Sequence, residues 1–314
     1  NIIIETPDLE KLIDWMHHYY LTPKGIVVKN ILSFLFKKNR SGAKKQNIIR
    51  ATNKGINAFN DKIIKGISRQ KILEKIYLKN NFTSISDLKK NISISSSSLK
   101  TLIRDGYIDL KESEYDYNPL QDIKINKNIP NLKLSEKQNE IYKNLKQKIY
   151  NDCFSVNLIH GITGSGKTEI YIKIVEDLLK ENKTALILVP EIVLTPETAK
   201  RFKLYFQDKV GIWNSNMTYA EKRWTWKKLL NQNLKVIIGT RSSVFLPIKN
   251  LQTIIVDEEH DNSYKQMEGM PTYNARDIAI IRAKNLNIPI IMGSATPSIE
   301  SYYNSTSGKY NFFE

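Results

Sequence analysis

The chain has 314 residues, with 48 Lys+Arg against 32 Asp+Glu and a net charge of +16. At roughly 100–200 residues per domain this length suggests two or three units, and 41% apolar with 25% charged residues excludes wholesale disorder. No stretch nears the roughly 20 apolar residues of a membrane span, the first residues lack a signal-peptide pattern, and a single cysteine, Cys153, excludes an internal disulfide or a cysteine-built zinc site within the chain.

Residues 1–36 hold one helical pattern, Leu9, Leu12, Ile13, Trp15 and Met16, then Tyr19-Tyr20 and a break at Pro23-Lys24-Gly25. Residues 37–66 are basic, contain Gly42, Gly55 and Gly66, show no clear period and read as a basic linker. Residues 67–122 read as a winged helix. Ile72, Leu73, Ile76 and Tyr77 stripe a first helix, and a second starts near Ser86 and carries Leu88. The run Ser95–Ser98 caps a third helix, which holds Leu99, Leu102 and Ile103 and stops at Gly106. Tyr107–Leu110 alternates as a strand and is expected to pair with Glu114–Tyr117 as the wing.

Between Lys37 and Leu110, 17 Lys+Arg stand against five Asp+Glu, so most of the excess charge lies in under a quarter of the chain. Each phosphate that such a surface neutralises releases counterions, so this is the footprint of a nucleic-acid contact. Lys100 and Arg104 on the third helix are placed for phosphates, although a winged helix that docks proteins fits the same pattern.

Residues 123–314 alternate apolar strands with amphipathic helices, the signature of a parallel α/β sheet. Gly161-Ile162-Thr163-Gly164-Ser165-Gly166-Lys167-Thr168 matches G-x-x-x-x-G-K-[ST] in full, with the strand Val156–Ile159 before it and the helix 169–180 after it. In this pattern backbone N–H groups cradle phosphates, the lysine reaches the β- and γ-phosphates, and the Thr168 hydroxyl meets Mg²⁺. Ninety positions after Lys167, the strand Ile254–Val256 ends in Asp257-Glu258-Glu259-His260. Asp257 would hold Mg²⁺, Glu258 would orient the attacking water, and His260 would sense the γ-phosphate neighbourhood.

Three further strands end the same way: Leu186–Val189 in Pro190-Glu191, Val236–Ile238 in Gly239-Thr240-Arg241, and Ile290–Met292 in Gly293-Ser294-Ala295-Thr296. Ligands bind at the carboxyl ends of parallel strands, so these five ends imply one extended site. Gly239-Thr240-Arg241 suits a phosphate backbone passing over the sheet, and Ser294 and Thr296 would bridge that backbone and the nucleotide.

The motifs GITGSGKT, DEEH and GSATP, in this order, resemble superfamily 2 DNA helicases. More narrowly, Leu188–Ile192, Ile238–Ser242, Val256–Asp261, Ser263–Gln266 and Tyr273–Asp277 resemble the PriA (primosomal protein N′) family of replication-restart helicases. Trp15, Tyr19-Tyr20 and Gly25 resemble the end of that family's domain for the 3′ end of a nascent strand. The resemblance implies a RecA-like P-loop lobe over 123–314, a parallel sheet with helices on both faces. A winged helix, the basic linker and a 3′-end-binding remnant (1–36) would precede it. It implies ATP binding by Gly161–Thr168 with Gln138 on adenine, Mg²⁺ on Thr168 and Asp257, and hydrolysis through Lys167, Asp257 and Glu258.

DNA binding or coupling is implied for Arg241, His260, Tyr264, Lys265, Gln266, Arg276, Ser294 and Thr296. The stretch Tyr264–Asp277 resembles the aromatic-rich loop that couples single-strand binding to hydrolysis, where rings offer stacking platforms. Pro271-Thr272 stands where an arginine is expected. The implied activity is ATP-dependent 3′→5′ DNA unwinding in the replication-restart primosome, on stalled or D-loop-like forks, promoting replisome reloading. Implied partners are forked and single-stranded DNA, primosome proteins and single-strand-binding protein, in the cytoplasm at the nucleoid. Two other readings stay open: another superfamily 2 translocase, such as a restriction or recombination motor, or a DNA- and ATP-binding protein without turnover.

Most of the 3′-end-binding domain is expected to lie outside these 314 residues. So is a second RecA-like lobe, with its arginine finger and zinc-binding cysteines. By itself the chain is expected to bind ATP–Mg²⁺ and DNA, hydrolyse slowly and unwind poorly.

Overall fold

The computed structural model describes residues 6–32, 45–79, 82–85, 88–89, 94–114, 117–121, 123, 125, 132–151 and 153–314. The chain divides into two compact units, one of residues 1–37 and 117–314, the other of residues 38–116. Residues 6–32 form helices α1 (Pro7–Tyr19) and α2 (Lys24–Ile31). The Pro23-Lys24-Gly25 break is therefore a helix start, with Pro23 as its N-cap residue.

The smaller unit contains β1 (Lys45–Ala51), α3 (Asn53–Asn60), α4 (Ile67–Lys79), β2 (Thr83–Ser84), α5 (Ser96–Arg104) and β3 (Ile108–Glu114). Its core joins Ile49, Ile72, Leu73, Ile76, Leu88, Leu99, Leu102 and Ile108. The expected helical stripes are thus buried, except that Ile103 is only partly buried and Tyr77 is exposed. Ser95 caps α5, its side chain accepting from the Ser98 N–H.

Two expectations fail here. Residues 45–60 are not linker, because Thr52 caps α3 and β1 pairs antiparallel with β3 from Lys45↔Glu114 to Ala51↔Ile108. Nor does the strand from Ile108 fold back at Glu114, which lies in that same strand. Unpaired backbone groups of β3 need a ladder partner, and β1 supplies it from earlier in the chain. The expected helix start at Ser86 lies outside the described residues.

The larger unit is a wholly parallel sheet. Its strands are β4 (Val156–His160), β5 (Thr184–Leu188), β6 (Val210–Trp213), β7 (Val236–Gly239), β8 (Leu251–Asp257), β9 (Ile290–Ser294) and β10 (Asn311–Phe313). They lie side by side as β10-β4-β9-β8-β5-β7-β6. The helices are α6 (Glu136–Tyr150), α7 (Lys167–Lys180), α8 (Pro196–Phe206), α9 (Tyr219–Leu230), α10 (Ala275–Leu286) and α11 (Ile299–Thr306). The sheet carries two more strands than the five expected. β6 contains Gly211, and β10 has only three residues, which leaves little apolar period to detect.

The strands look continuously apolar, yet the pleat divides them between two cores. Leu186, Leu188, Ile254 and Val256 face one, while Ala185, Ile187 and Ile255 face the other. Helices α6, α7 and α8 cover the second core. The first is covered by α10 and also by Leu9, Leu12, Ile13 and Met16 of α1. Residues 6–32 therefore pack onto the lobe and cluster with it in one unit.

A buried ion pair reinforces this attachment. Arg282, fully buried, donates from Nε to Asp8 Oδ2 at 2.8 Å and from its two terminal nitrogens to Val244 O and Leu246 O at 2.7 and 2.9 Å. The start of the nominal 117–122 tail of the winged helix also belongs to the lobe. Leu120 is buried in the second core, and Lys203 Nζ donates to Leu120 O and Ile123 O at 2.6 and 2.9 Å. Among the described residues no helix is long and apolar enough to cross a membrane.

Candidate nucleotide-binding site

The carboxyl ends of β4, β8 and β9 lie side by side, because β9 is inserted between β4 and β8. β4 runs into the Gly161–Gly166 loop, and α7 begins at Lys167 with no capping side chain. In contrast α6, α8 and α9 are capped by Ser135, Thr195 and Thr218. The first N–H groups and the positive dipole end of α7 thus remain available to an anion. Gly166 has φ +86°, and a Cβ there would lie 2.2 Å from Gln138 Nε2. The positive φ favours glycine at this position, and any side chain there would displace the Gln138 amide.

Lys167 is buried and its Nζ donates to Gly161 O at 2.7 Å. The same nitrogen lies 3.9 Å from Glu258 Oε1, so the two sequence motifs meet. Glu258 sits at φ +47°, a backbone region costly for a non-glycine residue and concentrated at functional sites. Asp257 accepts from the Tyr171 hydroxyl at 3.2 Å through Oδ1, and its carbonyl accepts from the Tyr264 hydroxyl at 2.6 Å. Burial, followed by the charge of Glu258, pushes the Asp257 carboxyl up to about 6, against the pull of Tyr171 and Lys167. Tyr171 needs a glycine opposite: a Cβ at Gly293 would stand 1.7 Å from its hydroxyl.

His260 and the turn after β9 form one polar cluster. His260 Nδ1 and Ser294 Oγ share a 2.7 Å hydrogen bond, His260 Nε2 and Thr296 Oγ1 a 3.3 Å one, and Thr296 N donates to Ser294 Oγ at 3.0 Å. Ser294 O accepts from Gly161 N at 3.1 Å, which ties the cluster to the loop. Beside the loop lies a cavity of about 310 Å³ lined by Gln138, Ile141, Ile159, His160 and Ile162 among others. Gln138 is anchored at both ends of its amide: Oε1 accepts from Ser135 N and Nε2 donates to Ser165 O, each at 2.8 Å. The first of these belongs to a capping box with Ser135, a pattern legible as Ser-x-x-Gln in the sequence.

The remaining candidates separate. Tyr264 is fully buried and Tyr273 nearly so, so neither ring is open for base stacking, and the platform expected from the aromatic stretch is absent at these two positions. Their rings fill space under the loop, where burial is worth more than exposure. Arg276 is largely buried and bonded to Asp277, Glu259 and Ser298. Lys265 is exposed, and Arg241 Nη1 donates to its carbonyl at 2.9 Å. Gln266 joins the loop through its backbone N–H to Tyr273 O at 2.7 Å. The sequence reading missed Glu259, Tyr171 and Ser298 in this region. Tyr171 had a signal, because four residues after Lys167 it shares that residue's helix face.

The donor set suits Mg²⁺. Thr168 and Asp257 offer hard oxygens but no enclosing cage, and this ion keeps waters and substrate phosphate oxygens in its shell. A cation would also relieve the crowding of Asp257 against Glu258.

Residues 131–299 match the family described as type III restriction enzyme, res subunit. The chain belongs to that family. Replication restart protein PriA of Bacillus subtilis is 41% identical over 224 residues, covering 71% of this chain and 28% of the relative. That of Haemophilus influenzae is 37% identical over 308 residues, 95% of this chain and 40% of the relative. The chain thus spans less than half the length of these relatives. Among solved structures, the DUF1998 helicase MrfA bound to DNA is 18% identical with a TM-score of 0.43, over 57% of this chain and 25% of that one.

Proposed function

We propose that this chain carries the ATP-binding lobe of a replication-restart helicase that moves 3′→5′ on DNA and promotes replisome reloading at stalled or D-loop-like forks. The observation that carries the reading is the 3.9 Å approach of Lys167 Nζ to Glu258 Oε1, which brings the P-loop and the acidic strand end into one site. In this reading the Gly161–Thr168 backbone and Lys167 hold the phosphates, Gln138 borders the adenine, and Thr168 and Asp257 hold Mg²⁺. When bound, the ion supplies charge neutralisation at the β- and γ-phosphates. Glu258 orients and polarises the attacking water, and His260 with Ser294 and Thr296 registers the γ-phosphate.

DNA is reached by Arg241 and Lys265 in the lobe and by Lys100 and Arg104 on α5, with primosome proteins and single-strand-binding protein as partners in the bacterial cytoplasm. A second reading, a restriction or recombination translocase, is favoured by the res-subunit family match.

ATP turnover by this chain, with and without DNA and beside Lys167→Ala, tests both. Turnover stimulated by forked DNA above linear duplex and lost in the variant supports the first reading. Equal stimulation by linear duplex supports the second. Mg²⁺-dependent ATP binding without turnover, removed by Lys167→Ala, leaves a nucleotide site that turns over only with further protein. Absence of both binding and turnover overturns the enzyme reading.

A further inference from the structure

Strand β10 has only three residues and little ladder of its own, yet side chains fix its register. Asn157, wholly buried in β4, donates from Nδ2 to Ser155 Oγ at 3.1 Å and to Ile290 O at 3.0 Å, and its Oδ1 accepts from Asn311 Nδ2 at 3.0 Å. Lys148 Nζ of α6 donates to Asn311 Oδ1 at 3.1 Å. A buried amide bonded through both its oxygen and its nitrogen is costly to disturb, so Asn311 is held opposite Asn157. Two residues further along, Phe313 lies opposite Ile159. The chain thereby delivers Glu314 to the end of β4, where the Gly161–Gly166 loop begins.

Glu314 Oε1 lies 3.5 Å from His160 Nδ1, and the Phe312 and His160 rings stand 5.9 Å apart, centroid to centroid. His160 and Glu314 both line the cavity of about 310 Å³ that Gln138 also lines. Glu314 carries the one carboxylate among the described residues of that lining, and Ile141, Ile159 and Ile170 give the cavity an apolar wall. A flat ring with few polar groups suits such a wall. An ionised carboxylate only accepts hydrogen bonds, so the partners it can find on a nucleotide are the ribose hydroxyls and an exocyclic amine. Its charge is repelled by phosphates held on Gly161–Thr168, and that repulsion falls with distance. The amine at the far end of the base is therefore the better partner. Gln138 complements it: one N–H of Nε2 goes to Ser165 O, and the second can meet a ring nitrogen. Adenine presents that donor and acceptor side by side, whereas a 6-oxopurine puts an acceptor oxygen in place of the amine.

We infer that Glu314 selects the base of the nucleotide, its carboxylate accepting from the exocyclic amine of a 6-aminopurine and repelling the oxygen of a 6-oxopurine. The inference rests on the nucleotide reading proposed above and adds to that site a base-selecting residue brought in by β10.

The affinities of the full 314-residue chain for ATP, ITP and 2′-deoxyATP with Mg²⁺, in wild type, Glu314→Ala and Glu314→Gln, read this out by competition with a fluorescent ATP analogue. ITP replaces the amine by an oxygen and leaves sugar and phosphates unchanged. Wild type is expected to bind ATP about tenfold more tightly than ITP, the scale of one hydrogen bond to a charged group. Glu314→Ala is expected to bring ATP down to the affinity of ITP. Glu314→Gln, whose amide both accepts and donates, is expected to bind the two alike, with ITP held more tightly than by wild type. A wild type that binds ATP and ITP alike overturns the inference, as does a preference that survives in either variant. A preference for ATP over 2′-deoxyATP that the variants lose, with the preference over ITP intact, gives the carboxylate to the ribose and overturns it. An equal drop for all three nucleotides makes Glu314 a structural support of the site and also overturns it. A wild type that binds none of the three overturns the nucleotide reading itself.

Discussion

Two clusters of buried charge in the lobe are built from the same chemistry and end in opposite states. At the α1–α10 contact, Asp8 meets Arg282, whose remaining donors are taken up by Val244 O and Leu246 O. At the end of β8, Asp257 is crowded by Glu258 and its carboxyl is pushed up to about 6, while Lys167 stays 3.9 Å from Glu258 and turns its hydrogen bond to Gly161 O. The first cluster is closed, with each charge neutralised and bonded, and serves only to hold α1 on the sheet. The second holds unrelieved negative charge next to an uncapped helix N-terminus, the condition under which a cation and a polyphosphate can bind with gain. Between these two clusters, the completeness of the partners and not burial makes the difference.

The largest expected effect breaks the closed cluster. Asp8→Ala leaves the Arg282 guanidinium buried without its counter-charge, and about 3–5 kcal/mol of stability should be lost, read by chemical denaturation. Nucleotide affinity of the folded molecules should not change. A loss below about 1 kcal/mol would show that the cluster holds nothing and erase the contrast. Lys167→Ala should have the opposite profile. Removing a charged hydrogen-bond donor to phosphate weakens Mg²⁺–ATP binding by about 1.5–3 kcal/mol, with a smaller shift in unfolding midpoint than Asp8→Ala. Titration with a fluorescent ATP analogue measures it.

The state of Asp257 sets a pH dependence of known sign. Its carboxyl stands at about 6 in the fold against an ordinary 3.8, so the folded state holds that proton more tightly than the unfolded chain. The stability this contributes is complete below about pH 4 and is lost as pH rises through about 6. Asp257→Asn should accordingly be more stable than wild type at pH 7.5, by about 1–3 kcal/mol, with the advantage shrinking toward pH 4. In parallel, Mg²⁺-dependent ATP affinity of the wild type should fall as pH drops through about 6. Equal stability of variant and wild type at pH 7.5 would mean that the strand end carries no stored repulsion.

The smallest effect concerns the other unit. There, exposed cations on α5 replace buried ones, Lys100 and an Arg104 whose Nε donates to Asp105 Oδ1 at 3.0 Å. Lys100→Ala and Arg104→Ala should each lower the salt dependence of DNA affinity by about one unit of slope, without sequence preference. Wild-type slopes in both would remove α5 from the DNA-binding surface.

Much of the candidate site's geometry was legible because it is local. A glycine-rich turn between an apolar strand and a helix has few backbone solutions, and Gly161–Thr168 adopts the one that its spacing implies. The Asp257-Glu258 strand end was legible for the same reason. The loop from Tyr264 was misread at its rings, because an aromatic residue scores alike whether it caps a core or meets a base. The strand β1 was missed because its ladder partner β3 lies some 60 residues later, and its own run of Lys, Gln, Asn and Arg shows no apolar alternation.

By itself, then, the sequence determined the elements whose shape follows from steric limits and period: the Gly161–Gly166 turn, the five continuously apolar strands and the helical stripes. Tertiary structure alone decided which of them became neighbours. It inserted β9 between β4 and β8, which placed Ser294 against both Gly161 and His260, and it paired Asp8 with Arg282 across 274 positions. Such pairings carry no local signature, because they follow from the free energy of burying whole faces and satisfying every polar group so buried. That balance exists only once the chain has closed on itself.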